Sequence, residues 1–358
     1  MTTQRPRGGI RRPVRREGAE RFLLLMLVAF AATVIVTRVA LELTGFPRIG
    51  GGELHIAHAL WGGACLFVAS VLPILLAGSF VYRAAAVLSG IGIGLFIDEV
   101  GKFITTQNDY FYPAAAPIIY ATFLLSVLIW VRARRPTDAD PRSQLLSALE
   151  LLAESVEGDL QPRERDQLLA RLRAAAANAP DLEQQRLAEQ LLEFVAARDV
   201  ALAAAAPPLF RRQRAWWHAR RDAWIGGRGL RMAIVVAILV SGAWALTAFG
   251  LAAADLAASR LAPSAPLFGL RLIQLGIEAV AGGLMVPGAI LITVAGRHTR
   301  GYSLALYGLL VSLTLGDLLS FYLRQFDSIV TAGFHAALLA AVVGYRRELE
   351  SERVRPAL

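Results

Sequence analysis

Cysteine is almost missing from this chain. Cys65 stands alone in 358 residues, which excludes an intrachain disulfide and a thiolate metal cluster. Lysine is equally scarce: Lys102 is the only one among 37 basic residues, and all the others are arginine. Charged residues amount to 18 % of the chain, below the roughly 25 % of an ordinary soluble domain. Strictly alternating apolar and polar segments are lacking too, which argues against the strands of a membrane barrel. Residues 133–230 contain no phosphate-binding loop, nucleophile elbow or metal motif.

What is present is apolar. Hydrophobic residues make up 56 % of the chain and the mean hydropathy is +0.50. They gather in runs of the length that crosses a bilayer, about 20 helical residues. In lipid every backbone polar group must be satisfied within the protein, so unalternating runs of this length are helices. The runs fall at residues 22–43, 57–78, 84–106, 114–132, 231–252, 268–295, 302–323 and 328–345. They predict an all-α integral membrane protein of about eight transmembrane helices. The first run follows a basic stretch, Arg5 to Arg21, but is too long for a signal-peptide core and is read as an uncleaved span.

The net charge of +9 and pI near 10.4 do not point to nucleic acid, because the arginines sit in tails and short loops beside apolar runs. With eight alternating spans, one side collects the N-terminal arginines, Arg83, Arg132, Arg134, Arg135, Arg228, Arg231, Arg297, Arg300, Arg346 and Arg347. The other side holds fewer, chiefly Arg48, Arg260, Arg271 and Arg324. The positive-inside rule therefore places both termini in the cytoplasm. The resulting division is a basic tail (1–21), four spans (22–132), a cytoplasmic helical domain (133–230), four more spans (231–345) and a second cytoplasmic tail (346–358).

The central domain is rich in Ala, Leu, Glu, Gln and Arg, all good helix formers. Pro162 and the Pro180–Asp181 pair mark helix starts, and three or four packed helices are expected. Trp216, Trp217 and Trp224 among arginines in residues 215–224 suggest an interfacial helix under the inner leaflet or one packed on the bundle.

The two sets of four spans align in one register. Gly78 meets Gly296, Gly90 meets Gly308, Leu95 meets Leu313, Glu99 meets Asp317, Phe103 meets Phe321, Gln107 meets Gln325 and Asp109 meets Asp327. An even number of spans in each set makes these parallel repeats.

The most informative stretch is GIGIGLFIDEVGKFITTQNDYFYP, residues 90–113. Gly90, Gly92 and Gly94 permit close helix approach and, with no strand before them, are not a dinucleotide fingerprint. Asp98, Glu99 and Lys102 stand at spacings of four and three, so they can meet on one helix surface. Lys102 pairs with one acid, and the other needs a proton, a cation or a residue such as Arg271. A lone lysine in an arginine-rich chain suggests a need for a compact ammonium that can lose its proton, or else a side chain snorkelling outward. His55 and His58, near Glu53, share a helix face and are candidate ligands for a divalent metal such as zinc, or interfacial hydrogen-bonding histidines. The second half offers Arg271, Gln274, Glu278, Asp317, Arg324, Asp327 and His335 instead. The candidate substrate or ion site is thus Asp98, Glu99, Lys102, Asp109, Glu278, Asp317 and Asp327, with the first half favoured.

The stretch FIDEVGKFITTQNDYFYP resembles one found in multi-pass bacterial membrane proteins of uncharacterised function, which implies a bacterial inner membrane and no particular activity. Three functions fit these residues. One is a transporter or permease binding a proton, a cation or a charged substrate at the acids. Another is a sensor or assembly scaffold in which residues 133–230 recruit a protein partner. The third is a membrane-embedded, metal-dependent hydrolase using His55, His58 and Asp98 or Glu99. The lipid bilayer is the expected partner throughout, nucleic acid is not, and a homo-oligomer is compatible.

Overall fold

The computed structural model describes residues 14–16, 18–45, 57–107, 109, 112–134, 141–156, 162–197, 228–257, 267–293 and 298–354. Among the described residues the regular structure is helical throughout, with no strand. The expected interfacial helix at 215–224 lies outside them.

The helices are α1 (Ala19–Thr44), α2 (His58–Leu75), α3 (Ser79–Asp98), α4 (Val100–Ile104), α5 (Ala115–Ala133), α6 (Pro141–Val156), α7 (Pro162–Asn178), α8 (Leu182–Ala197), α9 (Arg228–Ala257), α10 (Phe268–Thr293), α11 (His298–Val311), α12 (Asp317–Arg324) and α13 (Ile329–Val354). A π turn, Ser312–Gly316, joins α11 to α12, and a 3₁₀ turn, Gln325–Ser328, joins α12 to α13. Among the described residues seven stretches are long and apolar enough to cross a bilayer: α1, α2, α3, α5, α9, α10 and the run Arg300–Arg346. Large apolar side chains such as Val28, Val36, Phe67, Ile74, Val240 and Trp244 face outward, as contact with lipid requires. The chain is a helical, multi-pass membrane protein.

Two compact units divide it. Met1–Asp98 with Leu125–Pro207 form one, and Glu99–Leu124 with Pro208–Leu358 form the other.

In the first unit α3 lies between α1 and α2. The Gly-x-Gly-x-Gly spacing explains this. Residues four apart share a helix face, while residues two apart are on nearly opposite ones. A Cβ on Gly90 would strike the Met26 carbonyl and the Phe30 nitrogen, and one on Gly94 would sit 2.8 Å from Thr33 Cβ, both on α1. Between them, Gly92 faces α2, where its Cβ would lie 2.8 Å from the Gly62 carbonyl. Leu27, Phe30, Val34 and Arg38 form the buried stripe of α1 that meets this face. Gly45, with φ of 70°, ends α1 and sends its N–H to the Leu41 and Glu42 carbonyls.

The same unit holds a three-helix bundle, α6 to α8, around Leu145, Leu151, Leu168, Leu172, Ala188 and Val195. Pro162 opens α7, and Asp181 caps α8 by accepting the Gln184 N–H at 2.8 Å. The bundle is tied to the start of α1. Arg21 Nη1 donates to Glu164 Oε1 at 2.8 Å, and Arg16 Nε lies 3.8 Å from Glu150 Oε1.

In the second unit α10, rather than the third long helix, is central and packs on α9 and α11. Gly282 lies against Gly242 on one side, and Gly288 against Gly301 on the other. Met285, Ile292, Tyr302, Leu309, Leu338 and Val342 belong to its core. The chain reverses at Gln325–Ser328, so that α13 returns along α11 and the Tyr302 and Tyr345 rings meet at 5.5 Å.

Candidate functional site

Among the described residues two clusters of buried polar side chains stand out, one in each unit. In the first, the stripe Gly90–Gly94 continues to Asp98, which therefore faces α1 and is fully buried. Arg38 occupies the matching place on α1. Its Nε donates to Asp98 Oδ1 at 2.5 Å and its Nη2 to the Asp98 carbonyl at 3.1 Å. From α2, His58 Nε2 lies 3.2 Å from Asp98 Oδ2.

The partner of the second acid in the sequence pair is different. The helix breaks at Glu99, whose φ and ψ are −89° and 7°. Glu99 is buried in the second unit, where Lys102 Nζ donates to its Oε1 at 2.6 Å. Lys102 takes one acid of the sequence pair, as its spacing of three from Glu99 allows, and leaves Asp98 to another cation; the expectation that this cation is Arg271 is corrected. The balancing cation of Asp98 is Arg38, and Arg271 is exposed on α10. Spacing rules detect neighbours three or four residues apart and are blind to a partner on another span. Arg38 nevertheless had a visible signal: it continues the apolar stripe Leu27, Phe30, Val34 inside an apolar span, where a charge needs company.

The second site gathers α10, α12 and α13. Asp317, only 2 % exposed, receives His335: Nδ1 lies 3.0 Å from Oδ2 and 3.1 Å from Oδ1. Nδ1 is thus the ring nitrogen placed to donate to a carboxylate, which only accepts when ionised. On α10, Gln274 Nε2 donates to Glu278 Oε1 at 2.9 Å and to Ser320 Oγ at 2.6 Å. Asp317, His335 and Arg324 all lie within electrostatic reach of Glu278. A Cβ on Gly316 would sit 3.8 Å from Glu278 Cγ, so the acid lies beside the π turn. Among the described residues no arginine or lysine is ion-paired to Glu278 or Asp317. A Glu278–Arg271 contact, allowed by their spacing of seven, does not form; Gln274 serves Glu278 instead.

The remaining candidates lie apart from these sites. Asp109 is exposed and its N–H donates to Thr105 Oγ1 at 2.8 Å. Asp327 is exposed in the 3₁₀ turn. Of the candidate metal pair, His58 faces Asp98, and His55 lies outside the described residues. Among the described residues no group of three His, Cys, Asp or Glu side chains has the arrangement to hold a metal ion.

Comparison with known proteins gives no matching family profile, no matching curated protein and no matching solved structure.

Proposed function

We propose that this chain is a permease-like membrane protein that takes up a proton or a small cation at Glu278, Asp317 and His335. Charge balance carries the reading. In the first unit Asp98 is matched by Arg38, and in the second Glu99 has Lys102, so each of these two acids already has its cation. Such closed pairs hold helices together. The second site has two carboxylates, a single imidazole and no ion-paired arginine or lysine among the described residues. With the imidazole neutral, the acids leave negative charge to be met inside a protein of low polarity, where uncompensated charge is costly. A proton on Glu278 or on Nε2 of His335, or a cation between the carboxylates, supplies the balance. The weight therefore moves from the first half to the second.

We infer eight crossings, because the reversal at Gln325–Ser328 turns the run Arg300–Arg346 into two antiparallel spans. Arginine placement supports cytoplasmic termini and, with the composition, a bacterial inner membrane. A four-plus-four repeat is supported by the shared acid-x3-Phe-x3-Gln-x-Asp pattern and by one buried Asp–His pair in each unit. The central helix differs between units, so an ancestral repeat has diverged in its packing.

The test is proton flux in vesicles carrying the purified protein and a trapped pH dye. An imposed pH gradient should decay faster than in empty vesicles, and Asp317→Asn and Glu278→Gln should each remove the acceleration. Full flux in both variants would sink the proposal.

A second reading, a sensor that works through the α6–α8 bundle, is favoured by the Arg21–Glu164 tie between that bundle and α1. Its test is capture of a partner by the full-length protein that is lost on Glu164→Ala.

A further inference from the structure

We propose that Tyr120 is the positioning residue for Asp317, holding open the one-residue π bulge that turns this acid toward His335. The inference rests on reading Asp317 and His335 as the proton-carrying pair.

The bulge is a local fact of the chain. At Ser312–Gly316 the helix widens, and the Asp317 N–H bonds the Ser312 carbonyl, five residues back instead of four. When the ordinary helix resumes at Asp317, the Leu313 carbonyl is passed over. A carbonyl left without a donor in a buried setting costs free energy. Tyr120 supplies the donor: its hydroxyl, reaching over from α5, donates to Leu313 O at 2.7 Å. Thr314 assists from within, since its hydroxyl donates to the Leu310 carbonyl at 2.6 Å. The Tyr120 ring cannot easily swing away. It stacks on Phe321 at 4.5 Å and 25°, within a small cluster completed by Ala116 and Ala332. Phe321 is one turn beyond Asp317, so the anchor lies on the helix whose register is at stake.

The register matters because one residue more or less turns a helix by about 100°. With the bulge present, Asp317 occupies the place that Gly316 would take on a straight helix continuing α11. Straighten the helix and glycine would face His335, while the carboxylate would rotate off the site. The Tyr120 hydroxyl hydrogen-bonds the Leu313 carbonyl rather than the acid or the imidazole, so its hold on the register is exerted through the backbone.

The experiment compares wild type, Tyr120→Phe and a deletion of Thr314, with Asp317→Asn as the reference for a broken pair. Two readouts are taken on each full-length protein: proton flux in vesicles, and the nitrogen-15 histidine spectrum, with His335 assigned by its loss in His335→Gln. Tyr120→Phe keeps the ring and removes only the donor. It should lose the carboxylate-bound Nδ1–H signal of His335, as Asp317→Asn does, and slow flux about fivefold, the worth of one ordinary hydrogen bond. Deleting Thr314 removes the extra residue, so the signal should persist and adding Tyr120→Phe should change nothing more. An unaltered His335 signal and flux in Tyr120→Phe would overturn the inference, as would a deletion that leaves the signal dependent on Tyr120. If wild type moves no protons while its His335 signal still depends on Tyr120, the transport reading fails and the positioning role stands.

Discussion

Arg38 and Asp98 show how a single buried charge is made tolerable. The guanidinium reaches one carboxylate oxygen through Nε and the adjacent backbone carbonyl through Nη2, while His58 approaches the other carboxylate oxygen. Both acceptor oxygens of a fully buried acid are thereby occupied. Removing one member leaves the other charged and unpaired, at a cost of about 3–5 kcal/mol for pairs of this kind. Arg38→Met should therefore lower the thermal midpoint of the detergent-solubilised protein sharply. The double variant Arg38→Met with Asp98→Leu should recover most of the loss; a double variant as unstable as the single would remove the pair from this role. At the second site the same substitutions have different consequences. Asp317→Asn replaces an acceptor that His335 uses, and should change proton uptake more than melting. Of these residues, Asp98, Glu99 and Lys102 were legible because polar groups stand out in apolar runs. The Glu99–Lys102 contact was legible as well, from its spacing of three, but the partners of Asp98 and Asp317 were not, since Arg38 lies 60 residues from Asp98 and His335 lies 18 from Asp317. Such distances are closed only by packing.

At the scale of helices, glycine decides which elements approach. Gly90 has no room for a methyl group: its Cβ would meet backbone atoms of α1, including Phe30 N at 2.9 Å. Backbone cannot step aside as a flexible side chain can, so Gly90→Ala should destabilise by about 1–3 kcal/mol. Gly63, on α2, would meet nothing within 4 Å. Gly63→Ala should be neutral or stabilise by up to about 1 kcal/mol through its better helix propensity. Thermal unfolding of the two variants side by side checks the pair, and equal effects would refute the packing argument. The Gly-x-Gly-x-Gly motif was readable as a close-approach surface. That it serves two neighbours at once follows from its two-residue spacing. The π turn at Ser312–Gly316 had no comparable signature, because no residue type demands it. It exists through Tyr120, a side chain from a distant helix.

For the molecule as a whole, the Arg21–Glu164 contact links the α6–α8 bundle to the start of the apolar helix α1. Arg21 is largely exposed while Glu164 is almost wholly covered, so the tie is open to solvent on one side only. Salt screens such contacts. Arg21→Ala should speed protease cleavage between α5 and α6, and high salt should do the same to wild type while changing the variant little. Indifference to both would mean the bundle is held by apolar contacts alone. Orientation is tested at this scale as well. In a Cys65→Ser background, cysteine at position 83 should react with an impermeant thiol reagent only from the cytoplasmic side, and cysteine at position 327 only from the other.

That the chain is helical and crosses a membrane several times was legible in the sequence alone. Length and apolarity are properties of a contiguous run, and a bilayer accepts only runs of about 20 residues with their backbone groups internally satisfied. Hence helices seen at 19–44, 268–293 and 329–354 lie close to where the apolar pattern put them. Tertiary structure alone decided which ionisable groups are neutralised and which are left to bind. Charge pairing between helices depends on rotation and register, and here these are set by glycine contacts, a helix break at Glu99 and a bulge before Asp317. Which helices the glycines meet, and that Tyr120 meets the bulge, are relations between segments remote in the chain, which no local pattern encodes.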